Sequence, residues 1–247
     1  MNKQHLDDVS RIHEIQDTIA RKPALRQFYA DMYSRYQRCL DTCPKEGIAL
    51  ELGSGGGFLK QVIPEIVTSD VLAYPNVDQV VSGTAMPFEN ESLRAIFMLN
   101  VFHHIPDVGA FLSEAQRCLK PGGKILIIDQ NMGWFSKPIY KYLHHEPMDI
   151  HAQDWKFETT GPLSGANQAL AWVVFRRDLK KFETLFPKLQ LLKYQPHTPL
   201  RYWLSGGLKS WTLIPPWANS WVTTTDRLLV KLVPSMGSFV DIEIRKI

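Results

Sequence analysis

The 247-residue chain is poor in cysteine, with three, and these make no disulfide framework. Cys39 and Cys43 stand four apart, but no second pair of ligands completes a zinc site; Cys118 stands alone. Reduced thiols in a cytoplasmic protein are expected. No stretch approaches the roughly 18 unbroken apolar residues of a membrane span. The residues Met1-Asn2-Lys3-Gln4-His5 open no secretory apolar run. The expectation is a soluble protein, or at most one attached to the inner membrane surface. Net charge is low, at +3. Arg176, Arg177, Lys180 and Lys181 gather at a spacing that suits the wet face of a helix, so no nucleic-acid partner is expected. No Pro/Gly/Ser-rich or charged linker divides the chain, and 45% hydrophobic residues suffice for one domain with a full core.

What is present is alternation. Leu6, Val9, Ile12, Ile15 and Ile19 recur at steps of three and four, as on a helix. Pro23 breaks the pattern, and Phe28, Met32, Tyr33 and Tyr36 resume it in a second helix, suited to core packing or to a lid over a ligand. Short strands follow at Ile48–Leu52, Ile66–Asp70, Ala95–Leu99 and Lys124–Asp129, with helices expected over Phe58–Ile63 and Val108–Leu119. This order predicts an α/β fold with a parallel sheet covered on both faces. Further on, Arg177–Phe186 reads as helix and Leu189–Tyr194 as strand. Ser238–Ile247 reads as a last strand whose alternation suggests an antiparallel edge with one wet face. The expected organisation is a helical lid over residues 1–44 and a ligand-binding core over 45–132. Irregular insertions at 133–175 and 196–236, rich in Trp, Pro and His, are expected to shape a second binding region.

The glycine cluster Gly53-Ser54-Gly55-Gly56-Gly57 ends the first strand. A dinucleotide fingerprint needs a small residue where bulky Phe58 stands. A phosphate-cradling loop needs a closing Gly-Lys-Ser/Thr, which is missing. What remains is Glu51-x-Gly53-x-Gly55-x-Gly57. Together with Met86-Pro87-Phe88, the run Ala95 to His104 and Arg117-Cys118-Leu119-Lys120-Pro121-Gly122-Gly123, it resembles the class I S-adenosylmethionine-dependent methyltransferases. The resemblance covers roughly residues 47–130. It implies a seven-stranded Rossmann-like sheet, six strands parallel and the last antiparallel, with S-adenosylmethionine as cofactor. The implied cofactor residues are Glu51, Gly53, Ser54, Gly55 and Gly57 at the turn, with Asp70 and Val71 at the ribose. They continue with Ser82, Gly83 and Thr84 at the adenine, and Asn100, Val101 and His103 after the fourth strand. Ser82 stands where members usually carry Asp, which throws the adenine contact onto Gly83 or Thr84.

Methyl transfer demands alignment of nucleophile and methyl group, and an oxygen acceptor also wants a base. His103-His104 follows the fourth strand, and His144-His145-Glu146 opens the first insertion ahead of Asp149, His151 and Asp154. His104, His145 and Glu146 are the candidate catalytic groups. A metal site would need three converging ligands, and none is expected. The runs His144-His145-Glu146-Pro147 and Ser164-Gly165-Ala166-Asn167 also resemble some bacterial members. The expected acceptor is a small molecule, a saccharide or a lipid-linked compound, methylated at oxygen. An NAD-dependent reductase and a non-catalytic partner subunit remain as alternatives, and oligomeric state is open. Trp203, Trp211, Trp217 and Trp221 crowd residues 202–233, where two uses are weighed. They could wall an apolar pocket, or they could rest on a membrane surface beside Lys209, Arg227 and Lys231.

Overall fold

The computed structural model describes residues 9–144, 146–159, 161 and 165–247. Its centre is a seven-stranded sheet in the order β3-β2-β1-β4-β5-β7-β6. In chain order these strands are β1 (Ile48–Leu52), β2 (Val67–Asp70), β3 (Gln79–Val80), β4 (Leu93–Leu99), β5 (Leu119–Gln130), β6 (Leu189–His197) and β7 (Phe239–Lys246). Only β7 runs against its neighbours β5 and β6, so six strands are parallel. The seven-stranded Rossmann-like expectation holds.

Nine α-helices, among the described residues, flank or extend the sheet: α1 (Arg11–Arg21), α2 (Pro23–Leu40), α3 (Leu59–Val62), α4 (Val108–Cys118), α5 (Ser136–Leu143), α6 (Leu170–Trp172), α7 (Leu179–Leu185), α8 (Arg201–Leu204) and α9 (Asn219–Leu232). Pro23 opens α2 because its missing N–H costs nothing in a first helical turn. Asp107 caps α4, its Oδ1 accepting the Ala110 amide at 2.9 Å. The helix expected at Phe58–Ile63 is one turn only.

Strand period sorts the core into two halves. Leu50, Leu52, Ile96, Met98, Ile125 and Ile127 face α4 and α7 through Phe111 and Phe182. Ala49, Ala95, Phe97, Leu126 and Ile128 face α2 through Phe28, Met32, Tyr33 and Tyr36. Tyr36 stacks on Phe97 with ring centroids 4.5 Å apart. Strands buried on both faces explain the near-continuous apolar runs.

Two expectations are corrected here. The last strand is not an edge: β7 lies between β5 and β6, and its alternation marks no wet face. Asp241 is buried, ion-paired with Arg35 and Lys193 and 3.0 Å from His197 Nε2, which lets an acid occupy a central strand. The true edge beside β2 is β3, two exposed residues too short to leave a sequence pattern. The insertions are also less irregular than expected, since α5 and α6 lie in the first, and α8 and α9 in the second.

Candidate functional site

From β1 the chain turns toward β2 and β3, and from β4 toward β5, so a topological switch lies between β1 and β4. Ligands bind in the crevice at such strand ends. A cavity of about 1120 Å³ opens there, large enough for more than one small molecule.

At the first end of the cavity the backbone makes the site. Gly53 sits at φ +70°, and a Cβ there would stand 2.3 Å from Val101 Cγ2, so β1 can turn past β4 only as glycine. Gly55, at φ +47°, donates its amide to Asp70 Oδ2 at 3.0 Å, and the Leu72 amide donates to Oδ1 at 3.2 Å. Burial raises the Asp70 carboxyl, and these amides oppose the rise. Ser54 stitches β1 to β2, donating its amide to the Ser69 carbonyl and accepting the Ser69 amide at Oγ.

Three buried acceptor atoms at strand ends find no hydrogen-bond partner among the described residues. They are Glu51 Oε2 on β1, Asn100 Oδ1 just after β4 and Gln130 Oε1 at the end of β5. Asn100 also holds φ +58°, an unfavourable conformation for a residue with a side chain. All three line the cavity. Unpaired buried acceptors cost about 1–3 kcal/mol each, and a ligand rich in donors would remove that cost. Burial pushes the Glu51 carboxyl up to about 7. Gly57, Val71, Ser82, Gly83 and Thr84 line the same space, with Ser82 Oγ 2.9 Å from Thr84 Oγ1.

At the other end stand His103 and His104, in a 3₁₀ turn after β4, also lining the cavity. Asp129, fully buried on β5, accepts the His103 amide at Oδ2 (3.1 Å) and His103 Nδ1 at Oδ1 (2.8 Å). The Gly165 carbonyl accepts His104 Nδ1 at 2.9 Å. Both rings therefore carry hydrogen at Nδ1 and turn Nε2 toward Glu146. His103 Nε2 lies 3.4 Å from Oε2, and His104 Nε2 lies 3.5 Å from Oε1. Gln168 donates to Glu146 Oε2 at 2.9 Å and also reaches His144 Nδ1 at 2.5 Å. Burial alone would lower His103, but the Asp129 and Glu146 carboxylates overcome it and push it up to about 10. Burial, then the neighbouring His103 charge, brings His104 down to about 4. Burial opposes ionisation of Glu146, yet the two histidines hold its carboxyl well below the usual range.

Every expected cofactor residue thus lines one cavity, together with His104 and Glu146. Two other expected residues, His145 and Ser164, lie outside the described residues. Asp149, His151 and Asp154 are exposed and do not line the cavity. Their nearness in sequence to Glu146 is not carried into space, because the chain after Asp149 runs out to cover α4 and α7. Residues that sequence reasoning passed over are Gln130, Asp129, Gln168 and Tyr140, whereas Tyr202 and Trp203 belong to the segment weighed as a pocket wall and do line the cavity. For the first two there was a signal: polar residues ending a buried strand. Gln168 had none.

The Trp segment divides. Trp203 lines the cavity, its Nε1 donating to Ser238 Oγ at 2.8 Å. Trp211 lines it while 45% exposed, but Trp217 and Trp221 are 78% and 74% exposed and wall nothing.

Residues 50–127 match the family model described as a methyltransferase domain. The ubiquinone biosynthesis O-methyltransferase of Paramagnetospirillum magneticum is 31% identical over 117 residues, 40% of this chain and 46% of that one. The 2-methyl-6-phytyl-1,4-hydroquinone methyltransferase of Synechocystis sp. is 24% identical over 169 residues, 55% of this chain and 52% of that one. The chain thus spans about half the length of these two relatives. Among solved structures, geranyl diphosphate C-methyltransferase from Streptomyces coelicolor A3(2) superposes with a TM-score of 0.51 at 14% identity. That overlap covers 90% of this chain and 82% of the other, and it shows a shared fold. Residues 50–127 thus match a methyltransferase domain, and the glycine turn and sheet order around it resemble those of the class I S-adenosylmethionine-dependent methyltransferases.

Proposed function

We propose that the protein methylates an apolar, hydroxyl-bearing small molecule, of the phenol or hydroquinone class, using S-adenosylmethionine. The observation that carries this reading is one cavity with two chemically distinct ends. Glu51, Asn100 and Gln130 present unpaired acceptors at one end, which suit a ligand with ammonium and sulfonium charge. Asp70 would accept from ribose hydroxyls beside Gly55, and the Ser82–Thr84 turn would meet the adenine. S-adenosylmethionine supplies an electrophilic methyl group. At the other end Tyr140, Tyr202 and Trp203 would hold an apolar ring, while the His103–His104–Glu146 group would hold its hydroxyl and draw off the proton. The names of the two relatives, one in ubiquinone biosynthesis and one acting on a hydroquinone, support this acceptor class. Calorimetric titration tests the reading. S-adenosylmethionine and S-adenosylhomocysteine should bind, and NADH should give no heat; heat from NADH and none from S-adenosylmethionine overturns it.

An apolar acceptor also needs a route in, and we propose an anionic lipid surface as the partner that supplies it. No helix among the described residues is long and apolar enough to cross a membrane. Yet on α9 Trp221, Leu228 and Leu232, at i, i+7 and i+11, form one outward apolar stripe. Leu213 and Trp217 stand exposed just before it. Lys209, Arg227 and Lys231 are exposed in the same segment, whereas its one acid, Asp226, is buried and accepts the Leu200 and Arg201 amides. The charge presented is therefore positive, as an interfacial helix on anionic lipid requires. Leu208 and Trp211 are at once exposed and part of the cavity wall, so the cavity opens on this face. Vesicles containing anionic lipid should sediment the protein at low salt, and Trp217→Glu with Trp221→Glu should release it while it stays folded. Wild type left in the supernatant, or a dimer that buries these residues, overturns the lipid assignment.

A further inference from the structure

We infer that His103, His104 and Glu146 form a binding site for a divalent first-row transition metal, of which zinc fits best. Three ligand atoms, His103 Nε2, His104 Nε2 and a Glu146 oxygen, all lie within 4.8 Å of one another. His103 Nε2 lies 3.4 Å from Oε2 and His104 Nε2 lies 3.5 Å from Oε1, both longer than charge-assisted hydrogen bonds, which fall near 2.7–2.9 Å. Each is close to the edge, about 3.4 Å, of a tetrahedron built on metal–ligand bonds of about 2.0–2.1 Å, with one imidazole set against each carboxylate oxygen.

The outer contacts make the same point independently. A metal-binding histidine characteristically hands its second ring nitrogen to a carboxylate or a backbone carbonyl, fixing tautomer and orientation. Here His103 Nδ1 meets the buried Asp129 carboxylate, and His104 Nδ1 meets the Gly165 carbonyl. With its Nδ1 held by that carbonyl, His104 turns Nε2 toward Glu146, 3.5 Å from Oε1. Gln168 helps to fix the carboxylate by donating to Oε2, the oxygen that also faces His103. Two imidazoles and one carboxylate select a first-row transition metal over magnesium or calcium, which favour all-oxygen sites.

The group lines the cavity, so one side of a bound cation would face the room proposed for the acceptor. The site would then hold an acceptor oxygen directly. That role rests on the methyl-transfer reading, but the site itself does not.

The test needs neither cofactor nor acceptor. Chelator-treated protein titrated with Co²⁺ should take up one equivalent and develop the intense visible bands of a low-coordinate site, and Zn²⁺ should bleach them. Glu146→Gln and His104→Ala should abolish the bands. Asp129→Asn should weaken binding about 10- to 100-fold by loosening His103. His151→Ala, on the surface, should change nothing. S-adenosylhomocysteine titration checks separately that each variant is folded. Pale six-coordinate Co²⁺ spectra, bands surviving in Glu146→Gln, or bands lost in His151→Ala would each overturn the assignment.

Discussion

The two ends of the cavity are built by different means. At the glycine turn each group comes from the end of a strand or the turn beside it, within residues 51–130. At the histidine end, His103 and His104 also leave a strand, but what faces them comes from elsewhere. Glu146 and Gln168 lie in the first insertion, and the aromatic wall joins α5 to α8, held together through Ser238, which accepts from Tyr140 at its carbonyl and from Trp203 at its hydroxyl. The contrast separates a site set by the sheet from a site set by long-range packing. It also implies that the two can be damaged separately.

The largest expected effect tests that separation. Glu146→Gln and His104→Ala should each cut turnover about 10²–10⁴-fold, as loss of proton-handling groups does, while S-adenosylmethionine affinity stays within error. Steady-state kinetics beside calorimetry reads both. Loss of cofactor binding in parallel with rate would merge the two ends into one cooperative site. Asp70→Ala is the reciprocal case and should be milder. It removes hydrogen bonds worth about 1–3 kcal/mol, so cofactor affinity should fall about 5- to 150-fold. Turnover at saturating cofactor should hold, and a fall there would mean that the Gly55 turn also positions the acceptor.

The same contrast explains what the sequence makes legible. Strands β1, β2, β4 and β5 announce themselves because burial on both faces leaves near-continuous apolar runs, and the glycines because Gly53 has no room for a side chain. Asp241 misleads for a physical reason. A charged residue in an alternating strand signals water, unless Arg35, Lys193 and His197 surround it, and those partners lie 206, 48 and 44 positions away. Glu146 is visible only as part of a dense ionisable cluster. Nothing local separates it from Asp149 or Asp154, because what selects it is Gln168 and the two imidazoles. Trp217 and Trp221 are conspicuous in composition, but whether such residues face in or out depends on which side of α9 meets α8 and β6. Asp226, the buried acid of that helix, decides it.

The smallest expected effect sharpens the glycine end and depends on Glu51. Burial raises its carboxyl from the ordinary 4.5 to about 7 in the free protein. In the unfolded chain the group ionises from about pH 4.5 upward, whereas in the folded protein it holds its proton to about pH 7. Free-protein stability should therefore fall as pH rises across that window and level off above it. Cofactor binding should show the opposite slope. A cationic ligand favours the carboxylate, so below about pH 7 it must displace a proton. Affinity for S-adenosylmethionine should then weaken by up to about tenfold per pH unit on acidification, and stay flat above pH 7. Glu51→Gln should flatten both curves. The product S-adenosylhomocysteine, which lacks the sulfonium charge, discriminates further. An equal slope would place Glu51 opposite the ammonium group, and a shallower one opposite sulfur. If affinity is flat between pH 5.5 and 7 in the wild type, roughly the range over which a carboxyl of this kind changes charge, Glu51 does not meet the ligand's charge.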